Sequence, residues 1–285
     1  EEKLKETQGT QPAIYIVSVI IGKLLIENGA KPSCAAGHSL GEYSALTLAG
    51  SFDFRTGLNL VKIRALEMQK AGKSTKGTMA AILGLDDDIV SDICRDYAEG
   101  VVVAANYNAK GQVVISGEIE SVKNTMDKML SAGASKAIQL NVSGAFHSPL
   151  MSDAKEALTQ ELLSIDIKDS RIPVYANVSS KAINKSSNIR QALIDQLDQP
   201  VKWHQTITNM VADGVKPSKV YDVMSSDGGI DRAFKKLDTI KDHVVFWSAG
   251  SKPLELVSSG EVVMSLAYNG RIGAATVSYT HLTLP

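Results

Sequence analysis

An α/β fold built as two lobes is predicted by three features of the sequence. A short strand, a glycine-flanked turn and a helix follow one another across residues 33–50. Six shorter units alternate between strand and helix patterns from Gly77 to Val142. After them the chain returns to longer helical stretches around a strand in RIPVYANV. The two element types separate by apolar spacing, every three to four residues for a helix and every second residue for a half-buried strand. With 285 residues, 44% hydrophobic and 21% charged, the chain can bury a core and form one large domain or two modest ones.

In order, PAIYIVSVIIGKLLIENGA carries apolar residues at helical spacing and stops at Asn28-Gly29. SCAAGHSLGEYSALTLAG reads as a buried strand, a turn over Gly37–Gly41 and a helix closing at Gly50. A long helix is expected from Phe54 to about Ala71, with Leu58, Val61, Leu66 and Met68 among its apolar positions, Gly72 as its cap and Arg64 within it. Then come GTMAAILG (strand), DDDIVSDICRDYA (helix), VVVAANY and QVVISG (strands), EIESVKNTMDKML (helix) and SKAIQLNV (strand). This βαββαβ order is that of a ferredoxin-like split unit, a four-stranded sheet with two helices on one face, inserted into the larger pattern. The remaining elements are a helix to about Ser164, the strand in RIPVYANV, and helical stretches at Ile189–Leu197 and Val201–Val211.

Composition narrows the function classes. Thirty basic against 31 acidic residues leave a formal net charge of -1, without the basic excess of nucleic-acid or anionic-membrane binders, so no nucleic acid is expected as a partner. The longest apolar stretch, Ala13–Ile21, ends at Gly22-Lys23, short of the ~20 residues that span a bilayer, so no membrane helix is expected. The charged start EEKLKETQGTQ lacks the plan of a secretory signal, and two cysteines, Cys34 and Cys94, fit a reducing compartment, the cytoplasm. A start without Met, in the lead-in to a helix, reads as a fragment.

The chemistry centres on Gly37-His38-Ser39-Leu40-Gly41, a G-x-S-x-G pentad. Its glycines permit a sharp strand-to-helix turn that exposes the serine hydroxyl. Gly and Ser are common, so the pentad gains weight only from the strand before it and the helix after it. That helix start also points the Leu40 amide at the place where a thioester oxyanion would form. Ser39 needs a base. Of the five histidines, His38 lies inside the turn, and His204, His243 and His281 have no site-like surroundings. His147, in Gly144-Ala145-Phe146-His147-Ser148-Pro149, sits on a loop at the end of an element, where catalytic residues concentrate.

GHSLGEYSAL, the arginine of VKIRALEMQ, GTMAAILG, NYNAKGQVVISG, GAFHSPLM, IPVYANVSS and QLDQPVKW, in this order, resemble the malonyl-CoA:acyl-carrier-protein transacylase family from about residue 11 to Val215. The resemblance implies an α/β-hydrolase-like large lobe (1–74 and 143–215) and a ferredoxin-like small lobe (75–142). It implies Ser39 as nucleophile and His147 as general base and acid, with the histidine held by the main-chain carbonyl of Gln196 rather than by an Asp. Leu40 supplies an oxyanion amide. Arg64 grips the malonyl carboxylate, for which a planar two-pronged donor suits better than lysine. Phe146 excludes an α-methyl branch, and His38 joins the substrate-binding set. The implied partners are malonyl-CoA and acyl carrier protein, with a monomeric chain and no cofactor or metal; no ligand spacing such as H-E-x-x-H occurs.

The resemblance also has limits. Family members begin with a strand and a Gly-Gln-rich loop carrying a second oxyanion amide, which this chain lacks, so weak activity or stability is expected; losing one such donor typically costs about 10²- to 10³-fold in rate. Lys110 stands where the family has proline. Residues 216–276 resemble instead a polyamine-type extracellular solute-binding protein, in which Trp247 and Tyr268 read as core aromatics. Residues 277–285, VSYTHLTLP, resemble translated sequencing-adaptor DNA. A chimera joined near Val215–Lys219 is the expectation. The competing readings are a serine esterase or thioesterase, which would need an acid between Ser39 and His147 in chain order, a solute-binding module, and an inactive chimeric fragment. Asp86 to Asp88 read as a helix start and Asp127 as an exposed helix face, so neither supplies that acid.

Overall fold

The computed structural model describes residues 7–215, all within one unit spanning Glu2–Val215. The segments 216–276 and 277–285, with His243, Trp247, Tyr268 and His281, lie outside the described residues. The fold is α/β. It opens with α1 (Thr7–Glu27), β1 (Ala35–Ala36), α2 (Gly41–Ala49) and α3 (Phe54–Ser74). The βαββαβ run follows as β2 (Gly77–Leu83), α4 (Asp87–Arg95), β3 (Val102–Ala109), β4 (Gln112–Glu118), α5 (Ile119–Ser131) and β5 (Lys136–Gln139). A single 3₁₀ turn (Pro149–Met151), α6 (Ser152–Ser164), β6 (Val174–Tyr175), β7 (Ala182–Ile183), α7 (Ser186–Asp195) and α8 (Trp203–Ala212) complete it.

Two sheets result. β1, β6 and β7 lie in that order, with β1 parallel to β6 and β7 antiparallel to it. The second sheet has the order β3-β4-β2-β5 with every pair antiparallel. On one of its faces α4 and α5 bury Ile82, Val90, Cys94, Val122 and Met129; on the other, Met79, Ala105 and Val114 meet Phe146. Asp86 precedes α4 as its N-cap residue, as its acidic run implies, and Asp127 is exposed.

The longer helices pack around β1 and β6. Asp53 caps α3 by accepting from the Thr56 amide at 2.7 Å, and the helix buries Leu60, Val61, Arg64, Ala65 and Met68 at i, i+3/i+4 spacing. Leu66, expected on the apolar side, is 41% exposed. Gly72 does not end this helix, which runs on to Ser74. A Cβ at Gly72 would lie 2.4 Å from the Ser143 carbonyl oxygen, so the glycine admits a passing chain rather than stopping a helix. Gly22 ends the longest apolar stretch but not the helix, which is expected to reach Asn28-Gly29. A Cβ on Gly22 would lie 2.3 Å from Leu48 of α2, so the residue marks a helix crossing, and α1 continues through Lys23 to Glu27.

By length and a mean hydropathy of 1.5, α1 is therefore long and apolar enough to cross a membrane, contrary to the estimate from Ala13–Ile21. In this fold it buries Tyr15 and Val19 in the core shared with α2 and α3, while Val17, Ile21 and Leu25 are about half exposed. Three further differences stand out. β6 contains only two residues of its eight-residue pattern, β7 was not foreseen, and Val201 is not helical. Instead Val201 pairs with the edge strand β3, its carbonyl accepting from Tyr107 N at 2.9 Å and its amide donating to Ala105 O at 2.8 Å. Register shifts in β3 at Ala104/Asn106 and Tyr107/Ala109 accompany this pairing and set Asn108 beside the nucleophile turn.

Candidate active site

The turn from β1 into α2 carries Ser39 at φ 50°, in the left-handed region that non-glycine residues seldom occupy. A Cβ on Gly37 would lie 1.9 Å from the Gly41 carbonyl carbon, whereas one on Gly41 would meet nothing within 4 Å. The pentad's two glycines are thus unequal. Gly37→Ala is expected to collapse the turn and abolish acylation, and Gly41→Ala to leave it within a few-fold of the parent. Rates of serine acylation on both purified variants, with circular dichroism for folding, check this; equal sensitivity would contradict it. Asn177, just after β6, clasps the turn from both sides, accepting from the Ser39 amide at 2.6 Å and donating to the Gly37 carbonyl at 2.7 Å.

His147 lies on the loop between β5 and the 3₁₀ turn, at φ 57° and 3% exposed. Ser148 fixes the loop by donating to Ala145 O at 2.7 Å and accepting from Leu150 N at 3.3 Å. The imidazole Nδ1 is 2.8 Å from the Gln196 main-chain carbonyl, and Nε2 is 2.8 Å from Ser39 Oγ. A carbonyl only accepts, so Nδ1 carries the proton and Nε2 is the acceptor facing the hydroxyl.

Arg64 comes from α3 and is 1% exposed. Its Nη2 donates to Ser39 Oγ at 2.9 Å and to Gln196 Oε1 at 3.1 Å, and its Nη1 to Gln11 Oε1 at 2.5 Å. The guanidinium carbon sits 5.5 Å from the Tyr43 ring centre. The Ser39 oxygen thus accepts from a cation and donates to a neutral imidazole.

Burial, then the nearby Arg64 charge, push the His147 pKa down to about 3, against the raising effect of the Gln196 carbonyl. Against the ordinary value of about 6.5, the folded protein binds fewer protons than the unfolded chain between these values. The group's contribution to stability is therefore complete above pH 6.5 and is lost as pH falls toward 3. The kinetic consequence is a base already neutral at pH 5.5. The acylation rate is expected to lack a tenfold-per-unit fall centred near 6.5 that is removed with His147; a pH–rate profile of single-turnover acylation showing such a limb would contradict the assignment.

The structure thus joins Ser39, His147, Gln196 and Arg64 in one hydrogen-bonded network, with Leu40 next in chain as the residue that opens α2. Phe146 packs at the junction of two apolar clusters beside His147. His38 stands outside the network. It is exposed, with Nε2 2.9 Å from Asn108 Oδ1 and its ring 5.5 Å from that of Trp203. His204, on α8, makes no part of the site.

Three participants were missed in the sequence: Gln11, which holds Arg64; Asn177, which holds the turn; and Glu42, buried and accepting from the Asn177 amide and the Gln196 side chain. Glu42 and Asn177 fall inside GHSLGEYSAL and IPVYANVSS, where an acid and an amide among apolar neighbours were the available signal.

Residues 1–219 match the family of acyl transferase domains. The chain is an acyl transferase domain protein. The malonyl CoA-acyl carrier protein transacylase of Escherichia coli K12 is 42% identical over 217 residues, 75% of this chain and 70% of that protein. The same-named protein of Bacillus subtilis 168 is 39% identical over 216 residues, 75% of this chain and 68% of that one. Among solved structures, the malonyl CoA-acyl carrier protein transacylase of Coxiella burnetii aligns with a TM-score of 0.73 at 38% identity, covering 77% of this chain and 72% of that one. A malonyl-transacylase in complex with its type II polyketide acyl-carrier protein aligns equally well, at 40% identity over 77% of this chain and 74% of that one. Residues 198–280 also match the family of bacterial extracellular solute-binding proteins. That range begins within the acyl transferase match and includes α8.

Proposed function

We propose that the chain transfers a malonyl group from malonyl-CoA to the phosphopantetheine thiol of acyl carrier protein through an ester on Ser39. One observation carries this: a single hydroxyl faces both a neutral imidazole and the guanidinium of a buried arginine. Ser39 Oγ attacks the thioester carbonyl and His147 Nε2 takes its proton. The oxyanion faces the Leu40 amide at the start of α2. The carbon–sulfur bond breaks, and coenzyme A leaves with the proton from His147. The carrier thiol then gives its proton to His147 and attacks the ester, and Ser39 Oγ departs and recovers the proton.

Once Ser39 is acylated, its oxygen no longer needs the Arg64 donor, which turns to the malonyl carboxylate. Phe146 closes the side where a methyl branch would sit, and His38 lines the entrance.

The fold reading behind this is a hydrolase-like lobe (1–74 and 143–215) carrying an inserted ferredoxin-like lobe (75–142). The antiparallel order β3-β4-β2-β5 supports the second. Cytoplasmic location and a monomeric state belong to the same proposal. The esterase alternative requires a carboxylate on the histidine, and Nδ1 meets a main-chain carbonyl instead. For residues after about 215 we infer a separate solute-binding-protein origin, supported by the match over 198–280; one uninterrupted genomic reading frame through both parts would overturn it.

Incubating the chain with malonyl-CoA and carrier protein is expected to give malonyl-carrier thioester and free coenzyme A, with parallel lines in double-reciprocal plots. Release of free malonate without transfer would contradict the proposal and favour a thioesterase.

A further inference from the structure

Glu42 is a buried charged group that the reaction leaves unused. It lies in the first turn of α2, is 1% exposed, and sits where the helix's amide end favours negative charge. A buried carboxylate persists only with partners that offset its desolvation. One oxygen, Oε2, accepts from Gln196 Nε2 at 2.8 Å and from the Asn177 main-chain amide at 3.0 Å.

Each partner in turn holds the dyad. Gln196 gives its main-chain carbonyl to His147 Nδ1, donates from Nε2 to the Ser39 carbonyl at 3.0 Å and accepts Arg64 on Oε1. Its side-chain amide is therefore set between a guanidinium and a carboxylate, which fixes which end faces which. Asn177 grips the turn on both sides of the nucleophile.

We propose that Glu42 is a positioning residue, whose oxygen Oε2 locks the Gln196 and Asn177 supports together and so keeps His147, Ser39 and Arg64 in reacting register. The other oxygen, Oε1, is buried with no hydrogen-bond partner. Burial pushes the carboxyl pKa up to about 7, against the lowering effect of the Asn177 and Gln196 hydrogen bonds and the Arg64 charge. The acceptor at Oε2, shared by Gln196 Nε2 and the Asn177 amide, is what the site uses.

The test uses the full chain as Glu42→Gln, Glu42→Leu, Gln196→Leu and the Glu42→Leu/Gln196→Leu double variant. The rate of Ser39 labelling by a fluorophosphonate is measured beside single-turnover acylation by malonyl-CoA, with thermal unfolding followed for each. Glu42→Gln, which keeps an acceptor, is expected within about threefold of the parent, and Glu42→Leu about 30-fold slower in labelling. The double variant is expected within about threefold of the slower single variant, because both remove the same bond. Should Glu42→Leu not fold, Gln196→Leu must itself slow labelling about tenfold.

Glu42→Gln as slow as a folded Glu42→Leu, a folded Glu42→Leu that labels at the parent rate, or fully additive losses would overturn the proposal. So would a folded parent that the probe does not label. The inference rests on the Ser39 assignment and not on the acyl donor. A parent that labels normally but takes no malonyl group sinks the transferase reading and leaves this test intact.

Discussion

His147→Ala is expected to slow acylation of Ser39 by roughly 10³-fold, about 4 kcal/mol of transition-state stabilisation. The hydroxyl loses the imidazole that takes its proton, and Arg64, which only donates to the same oxygen, cannot accept a proton in its place. The orienting partner of the histidine is a main-chain carbonyl, so no side-chain substitution at an acid can reproduce this loss as it would in a Ser-His-Asp triad. A burst experiment that separates acylation from transfer reads the effect. Loss in the transfer step alone, with acylation at the parent rate, would mean that another group deprotonates Ser39.

Arg64→Leu carries the second large effect. Truncating one partner of a buried, hydrogen-bonded charge pair costs about 2–5 kcal/mol. For malonyl-CoA this corresponds to about 30- to 5,000-fold in kcat/KM. Acetyl-CoA has no carboxylate to lose and should fall far less, so discrimination between the two donors should shrink toward unity. Arg64→Lys is not expected to rescue, because a single ammonium cannot reproduce the forked contacts to Gln11, Gln196 and Ser39. Equal losses for the two donors would show that Arg64 holds the site together without recognising malonyl.

What the sequence disclosed, and what it hid, divide along physical lines. The βαββαβ run and the strand-turn-helix around Ser39 were legible because local apolar spacing and turn residues specify them. Gly72 was misread because a glycine that admits a neighbouring chain looks the same in sequence as one that ends a helix. β7 has two residues, too few for a strand period to declare itself.

The positive φ of Ser39 and of His147 follows from the clasp around each residue, not from its own preference. Asn177 meets Ser39 across 138 positions of chain and Gln196 meets Glu42 across 154, so no local pattern could pair them. Arg64 marks the boundary. Its place on α3 was readable, but its burial depends on Gln11 and Gln196 arriving from distant elements to receive a cation that would otherwise have to face water.

The most direct test is the intact mass of the purified chain after brief exposure to malonyl-CoA, beside Ser39→Ala. The expected result is a malonyl-sized increase in the parent, absent from the variant. An increase that survives in Ser39→Ala, or none in a folded parent, would contradict Ser39 as the acyl carrier.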